Sequence, residues 1–311
     1  MVEQVLRHGC CEPLVSVLLG VETLVALRAR FAAVVRLWVD LFSRHQILNS
    51  ASAISFQALK SLVPLALFGI ASLGTVGLSD VWKASLRPSF HRQLTPTAFA
   101  AVDTAVGKIF ADGSRVLPVF AGALLLWYLS GLVRACMGGM NLIYEIEERR
   151  SFRRRWGVSF ALAVGVAVAV VASVLAVTAG PRLSRGGSLR EALDLIRWPV
   201  AALLLGAAVG LLAHYGAAER RQVRWTSIGS AVVVAAWLVE SLLFSWYVAG
   251  LANFKSAAGA LIVFLVLAAY LYTASIIFLV GIQIDELLRK DASPTERGII
   301  DLIRHGAGAA R

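Results

Sequence analysis

The hydrophobic positions of this chain are gathered into six long runs, at about 50–78, 116–144, 157–180, 199–215, 225–250 and 257–283. A helix rising ~1.5 Å per residue needs about 20 apolar residues to cross a ~30 Å hydrocarbon core, so each run predicts a spanning helix. The second run sets the frame. Eighteen uncharged residues lead to Arg134, ten more follow it, and the segment then closes on EIEERRSFRRRW. Between and around the spans the period changes to that of amphipathic helices. Phe31, Val34, Val35, Trp38, Leu41 and Phe42 share one face before the first span. Phe99, Val102, Val106, Ile109 and Phe110 make a stripe behind Thr95 and Pro96, an N-cap followed by proline at the first helical position. Ser188 with Glu191 predicts a short external helix before Pro199, and Ser293, Pro294 and Glu296 predict another in the tail. Pro64 should kink the first span, and Gly206 with Gly210 offers a small-residue seam in the fourth.

The expected fold is therefore all-α, a polytopic membrane helical bundle of six transmembrane helices plus amphipathic interfacial helices. Its parts are an N-terminal interfacial region (1–48), the six-span membrane domain (49–288) and a cytoplasmic tail (289–311). Composition agrees. Of 311 residues 58% are hydrophobic and 16% charged, with mean hydropathy +0.74, where a soluble domain carries roughly a quarter charged. The net charge of +11 comes from basic residues beside the apolar runs, so anionic headgroups are the expected partners, above all at Arg149, Arg150, Arg153, Arg154 and Arg155. Nucleic acid is not expected: RRSFRRRW has only Phe152 and Trp156 as an aromatic platform. With both termini cytoplasmic, the inner segments hold 18 Lys and Arg against 10 outside, which favours that orientation. Cys10, Cys11 and Cys136 make neither a disulfide framework nor a metal spacing, and the five histidines are scattered. No catalytic, cofactor or metal site is expected, and His214 reads as interfacial.

Three charges fall inside the spans: Lys60, Arg134 and Glu240. Each costs ~2.5–3.5 kcal/mol at mid-membrane on insertion scales, so each invites a function with a named partner. By residue count Lys60 and Arg134 both lie about 15 Å from the inner end of their helices, with Glu240 some ~8 Å further out. Glu240 can neutralise one cation and leave net +1. Ser130, Gly138, Asn141 and Glu145 continue the face of Arg134, while Gln57, Ser61 and Pro64 share the face of Lys60. These residues make a candidate anion or substrate site of Lys60, Arg134, Asn141 and Glu240. The bland alternative has Lys60 snorkelling to the surface and Arg134 paired with Glu240 as structural glue.

The segments SASAISFQALKSLVPLALFGIASLG, LLLWYLSGLVRACMGGMNLIYEIEERRSFRRR and WTSIGSAVVVAAWLVESLLFSWYVAGLANFKSAAGALIVFLVLAAYLYTASIIFLVGIQIDELL together resemble the YihY/BrkB family of bacterial inner-membrane proteins. The resemblance covers most of 50–288 and implies a six-helix inner-membrane protein, in a family linked to serum resistance and to suggested lipid or lipopolysaccharide export. Members have carried the label ribonuclease BN, for which this chain offers no catalytic residues. Two departures stand out. Gly281, Ile282 and Gln283 replace the family's Gly-Ala-Glu, so a carboxylate role there falls to Asp285 or to none, and Lys60 stands where the family is usually uncharged. The leading expectation is a non-enzymatic transporter, exporter or flippase-like protein for an anionic lipid or small anion. Arg134 and Lys60 would attract the anion, Glu240 counterbalance it, and Asn141 hydrogen-bond near the inner mouth. A non-transporting scaffold for envelope integrity is the alternative and a ribonuclease the remote one; a homo-oligomer is left open.

Overall fold

A computed structural model of the chain describes residues 35–36, 38–75, 82–88, 91, 96–112, 116–183, 188–218, 223–250 and 257–291. Its elements are helices: α1 (Ile47–Thr75), a π-helical turn (Trp82–Leu86), α2 (Pro96–Asp112), α3 (Val116–Ile143), α4 (Phe152–Leu183), α5 (Ser188–Gly216), α6 (Val223–Gly250) and α7 (Ala257–Asp291). Six of them, all but α2, are long and apolar enough to cross a membrane. Large apolar side chains lie on their outer faces, with Val63 75%, Leu203 73% and Trp246 78% exposed. A water-soluble bundle would turn such residues inward, so the outward greasy faces belong against lipid.

The chain divides into two compact units. In the smaller, the described residues before Gln46 are helical through 38–44, and the Trp38 and Phe42 rings stack at 6.2 Å as their four-residue spacing requires. Phe31, Val34, Thr95, the turn at Asn253 and Lys255, and the tail helix expected from Ser293 lie outside the described residues.

The larger unit, Gln46–Glu286, is organised around α3. Its second half is buried through Ser130, Gly131, Val133, Cys136, Met137, Gly139, Met140, Asn141 and Ile143. That half is rich in small residues, and small residues let backbones approach where no hydrophobic effect drives helices together. At Gly139 three helices meet: a Cβ there would come 2.9 Å from Leu279 of α7 and 3.4 Å from Ser50 of α1. Among the described glycines the closest approach is that of α6 to α7. A Cβ on Gly229 would lie 2.5 Å from the Gly281 carbonyl and collide with the Asp285 carboxyl. Gly206 and Gly210, the expected seam, make looser contacts, with Cβ positions 3.9 Å from Val234 and 3.7 Å from Ser230. They line an open groove of 910 Å³ between α5 and α6.

One expectation at a proline also changes. α5 is one helix from Ser188 across Pro199 to Gly216, not a short external helix followed by a span. α1 continues through Pro64. A proline removes a single N–H···O bond, and a membrane helix packed on neighbours tolerates that loss. Outside the spans α2 packs on the end of α1, where Phe110 fills the space beside Gly74. A fork closes the same segment: Arg87 Nε and Nη2 donate to Asp103 Oδ1 and Oδ2, both at 2.8 Å. The Arg87 hydrogen bonds hold the Asp103 carboxyl below its ordinary 3.8.

Candidate functional site

α1 and α3 run antiparallel along a polar seam. Lys60 on α1 lies beside Tyr128 of α3, its Nζ 5.5 Å from that ring and 5.2 Å from the ring of Phe56. One turn along, Gln57 flanks Gly131: the amide oxygen and Arg134 Nη2 lie 3.6 and 3.7 Å from where a Gly131 Cβ would be. Arg134 follows three residues later. Tyr128 and Arg134 are six residues apart, so the two cations are staggered by about 9 Å along the seam. A count along the sequence gives them one depth; the register of the helix pair, which such a count does not contain, separates them.

Arg134 is half-buried on a seat of neutral groups. Its Nη1 donates to Ser130 Oγ at 3.0 Å and to Ser159 Oγ of α4 at 3.2 Å. Both hydroxyls give their own protons to helix carbonyls, Ser130 to Trp127 and Ser159 to Trp156, each at 2.8 Å. Their lone pairs are thereby aimed at the guanidinium. The Trp156 ring closes one face, its centroid 3.9 Å from Cζ, inside the range of a strong cation–π contact. Trp127, Phe152 and Phe160 pack around Trp156 at 4.9, 5.6 and 5.8 Å. Among the described residues no carboxylate pairs with Arg134 or Lys60.

Glu240 belongs to a different place. On α6 it accepts the Thr273 hydroxyl of α7 at Oε1, while Oε2 has no hydrogen-bond partner among the described residues. No ion pair joins it to either cation. Asn141 ends the buried face of α3 and forms part of a clasp. Its Nδ2 donates to Glu148 Oε2 at 3.2 Å and its Oδ1 accepts the Ala218 N–H at 3.0 Å. Arg150 completes the clasp. It reaches the last carbonyls of α5, those of Tyr215 and Gly216, and that of Ala217 just beyond, and lies 3.8 Å from Glu148. A guanidinium there satisfies orphan C=O groups and the negative end of the helix dipole together. Of the five arginines in this run, Arg149, Arg153 and Arg154 remain exposed and Arg155 half-buried.

Asp285 accepts the Gly229 N–H at 2.7 Å and is buried, so the carboxyl that follows Gly281 is seated on the α6 backbone. Among the described residues no three His, Cys, Asp or Glu side chains gather to hold a metal. Sequence reasoning missed Tyr128, Ser159, Glu148 and Thr273. None carried a signal: even Tyr128, on the same helix, stands two residues before Ser130 and off the face that holds Arg134.

Comparison with known proteins agrees with this architecture. The ribonuclease-like protein YfkH of Bacillus subtilis is 24% identical over 262 residues, 81% of this chain and 94% of that protein. UPF0761 membrane proteins of Methylibium petroleiphilum and Chlorobium phaeobacteroides are 23% and 24% identical, over 75% and 78% of this chain. The chain spans 56% and 57% of the length of those two proteins. No solved structure matches significantly. The family described as Virulence factor BrkB matches residues 39–299, and the chain belongs to that family of multi-pass membrane proteins.

Proposed function

We propose that this protein binds an anionic headgroup in the seam between α1, α3 and α4 and passes it along the bundle, as a lipid or small-anion transporter of the bacterial inner membrane. The observation that carries the reading is the seat of Arg134: two hydroxyl oxygens, an indole face and no carboxylate among the described residues. A cation placed only to hold helices together is cheapest when an acid neutralises it. This one keeps its full charge, with donors to spare for a phosphate or carboxylate that a planar guanidinium binds in a fork.

In this scheme the exposed Arg149, Arg153 and Arg154 collect anionic headgroups at the cytoplasmic rim, with both termini on that side. Arg134 is the next cation, about 14 Å from the α3 end at Ile143, and Lys60 follows at about 22 Å. Asn141 shapes the inner mouth through the clasp. The second reading, a non-transporting scaffold, draws on that same clasp, because both ends of the Asn141 amide are engaged within the protein.

Thermal unfolding of the full chain in a neutral detergent separates the two. Phosphatidylglycerol raises the midpoint of the wild type more than phosphatidylcholine does, and Arg134→Gln narrows that preference to what the rim arginines supply, while Arg134→Lys keeps more of it. Equal stabilisation of wild type and Arg134→Gln by phosphatidylglycerol contradicts the anion site and leaves the scaffold.

A further inference from the structure

Between α6 and α7 lies a second cleft, of 890 Å³, lined by Glu240, Phe244 and Tyr247 of α6 and by Tyr270, Thr273 and Ile277 of α7, among others. Glu240, Leu243, Phe244 and Tyr247 recur at three- and four-residue spacing on one helix, and Val266, Ala269, Tyr270 and Thr273 do so on the other. Two stripes therefore face one space. The mouth points sideways: Val239, Leu243 and Leu265 at its edge are 57%, 63% and 56% exposed, and these are the faces that meet lipid. Glu240 is ten residues before the end of α6 at Gly250, about 15 Å into the membrane from that end.

The floor is unlike a lipid groove. Glu240 takes one hydrogen bond, from Thr273, and its second oxygen is shut from water without a donor among the described residues. Three aromatic side chains, Phe244, Tyr247 and Tyr270, line the same cleft. Phe244 and Tyr270 stack at 4.7 Å, and Ser241 ties the Tyr270 hydroxyl at 3.0 Å, which fixes that ring. A carboxyl among aromatic faces is complementary to a positive charge spread over an apolar body. An acyl chain would leave the carboxyl unmatched. A hydrated inorganic cation would have to shed its water against rings that cannot replace it, and a lipid amine headgroup belongs at the interface, not at this depth.

We propose that the α6–α7 cleft is a binding site for a lipophilic organic cation, entered from the bilayer, with Glu240 as counter-charge and Phe244, Tyr247 and Tyr270 as its aromatic walls. The site is separate from the seam that holds Arg134 and stands whether or not that seam takes an anion.

Tetraphenylphosphonium is the probe, titrated by calorimetry against the full chain in neutral detergent, with triphenylphosphine oxide as an uncharged comparator of similar shape. The wild type binds the cation saturably and the oxide at least about tenfold more weakly. Glu240→Gln keeps an oxygen for the Thr273 hydroxyl but removes the charge, and weakens the cation by about tenfold or more. Tyr247→Ala, at the exposed rim, weakens it about three- to tenfold and serves as the test if Glu240→Gln does not fold. Arg134→Gln leaves cation binding unchanged. Equal binding of cation and oxide, or wild-type affinity in a folded Glu240→Gln or, failing that, Tyr247→Ala, overturns the proposal.

Discussion

Glu145 is where α3 stops. Its φ is +54°, and the Ile146 N–H reaches back to the Asn141 carbonyl at 3.0 Å, the six-to-one bond of a left-handed helix end. A non-glycine residue in that conformation is strained by about 1 kcal/mol, more when β-branched. Glu145→Val therefore lowers stability by about 1 kcal/mol in thermal unfolding while Glu145→Gly does not. The opposite demand is made at Gly229, where any Cβ meets the Gly281 carbonyl and Asp285. Gly229→Ala costs about 2–3 kcal/mol, at the upper end of overpacking because one obstacle is backbone. Gly206→Ala, with 3.9 Å of clearance, is close to neutral. Gly229 and Gly206 look alike in the sequence, since spacing along one helix says nothing about which neighbour approaches it. Arg150 was equally hidden: it stands in a run of like residues, and only the end of α5, 65–67 residues away, distinguishes it.

At the scale of elements, run length made the six spans legible, because a helix in hydrocarbon must satisfy its whole backbone and so needs an unbroken apolar stretch. Which faces meet was not legible. α4 and α6 are apolar on nearly every side, so their sequences mark no inward stripe, and nothing in residue order turns Glu240 towards α7 and away from α3. The clasp at the end of α5 gives an element-level prediction. Arg150→Ala leaves three carbonyls and Glu148 without their cation and lowers stability by about 2 kcal/mol, with Arg150→Lys recovering only part. The segment between α1 and α3 answers to pH. Because Arg87 lowers the Asp103 carboxyl, the fork contributes above the ordinary 3.8 and fades as pH falls through the lowered value. Wild type and Arg87→Gln then differ in melting at neutral pH and converge near pH ~2.

For the whole molecule, orientation and charge are one question. The arginine-rich loop between α3 and α4 is the cytoplasmic face if attraction to anionic lipid and retention of positive charge set the topology. With Cys10, Cys11 and Cys136 replaced by serine, Lys108→Cys in α2 is labelled by an impermeant thiol reagent in intact cells and Arg153→Cys only after lysis. The reverse pattern inverts the protein. The cations along the α1–α3 seam then decide between passage and scaffolding. The most direct measurement is the rate at which fluorescent phosphatidylglycerol in the inner leaflet of reconstituted vesicles becomes accessible to an external quencher. Wild-type protein speeds that exchange, and Lys60→Gln and Arg134→Gln, folded and inserted to the same level, slow it towards protein-free vesicles. Exchange at the wild-type rate in both variants, or none above protein-free vesicles in the wild type, contradicts a headgroup path along these residues.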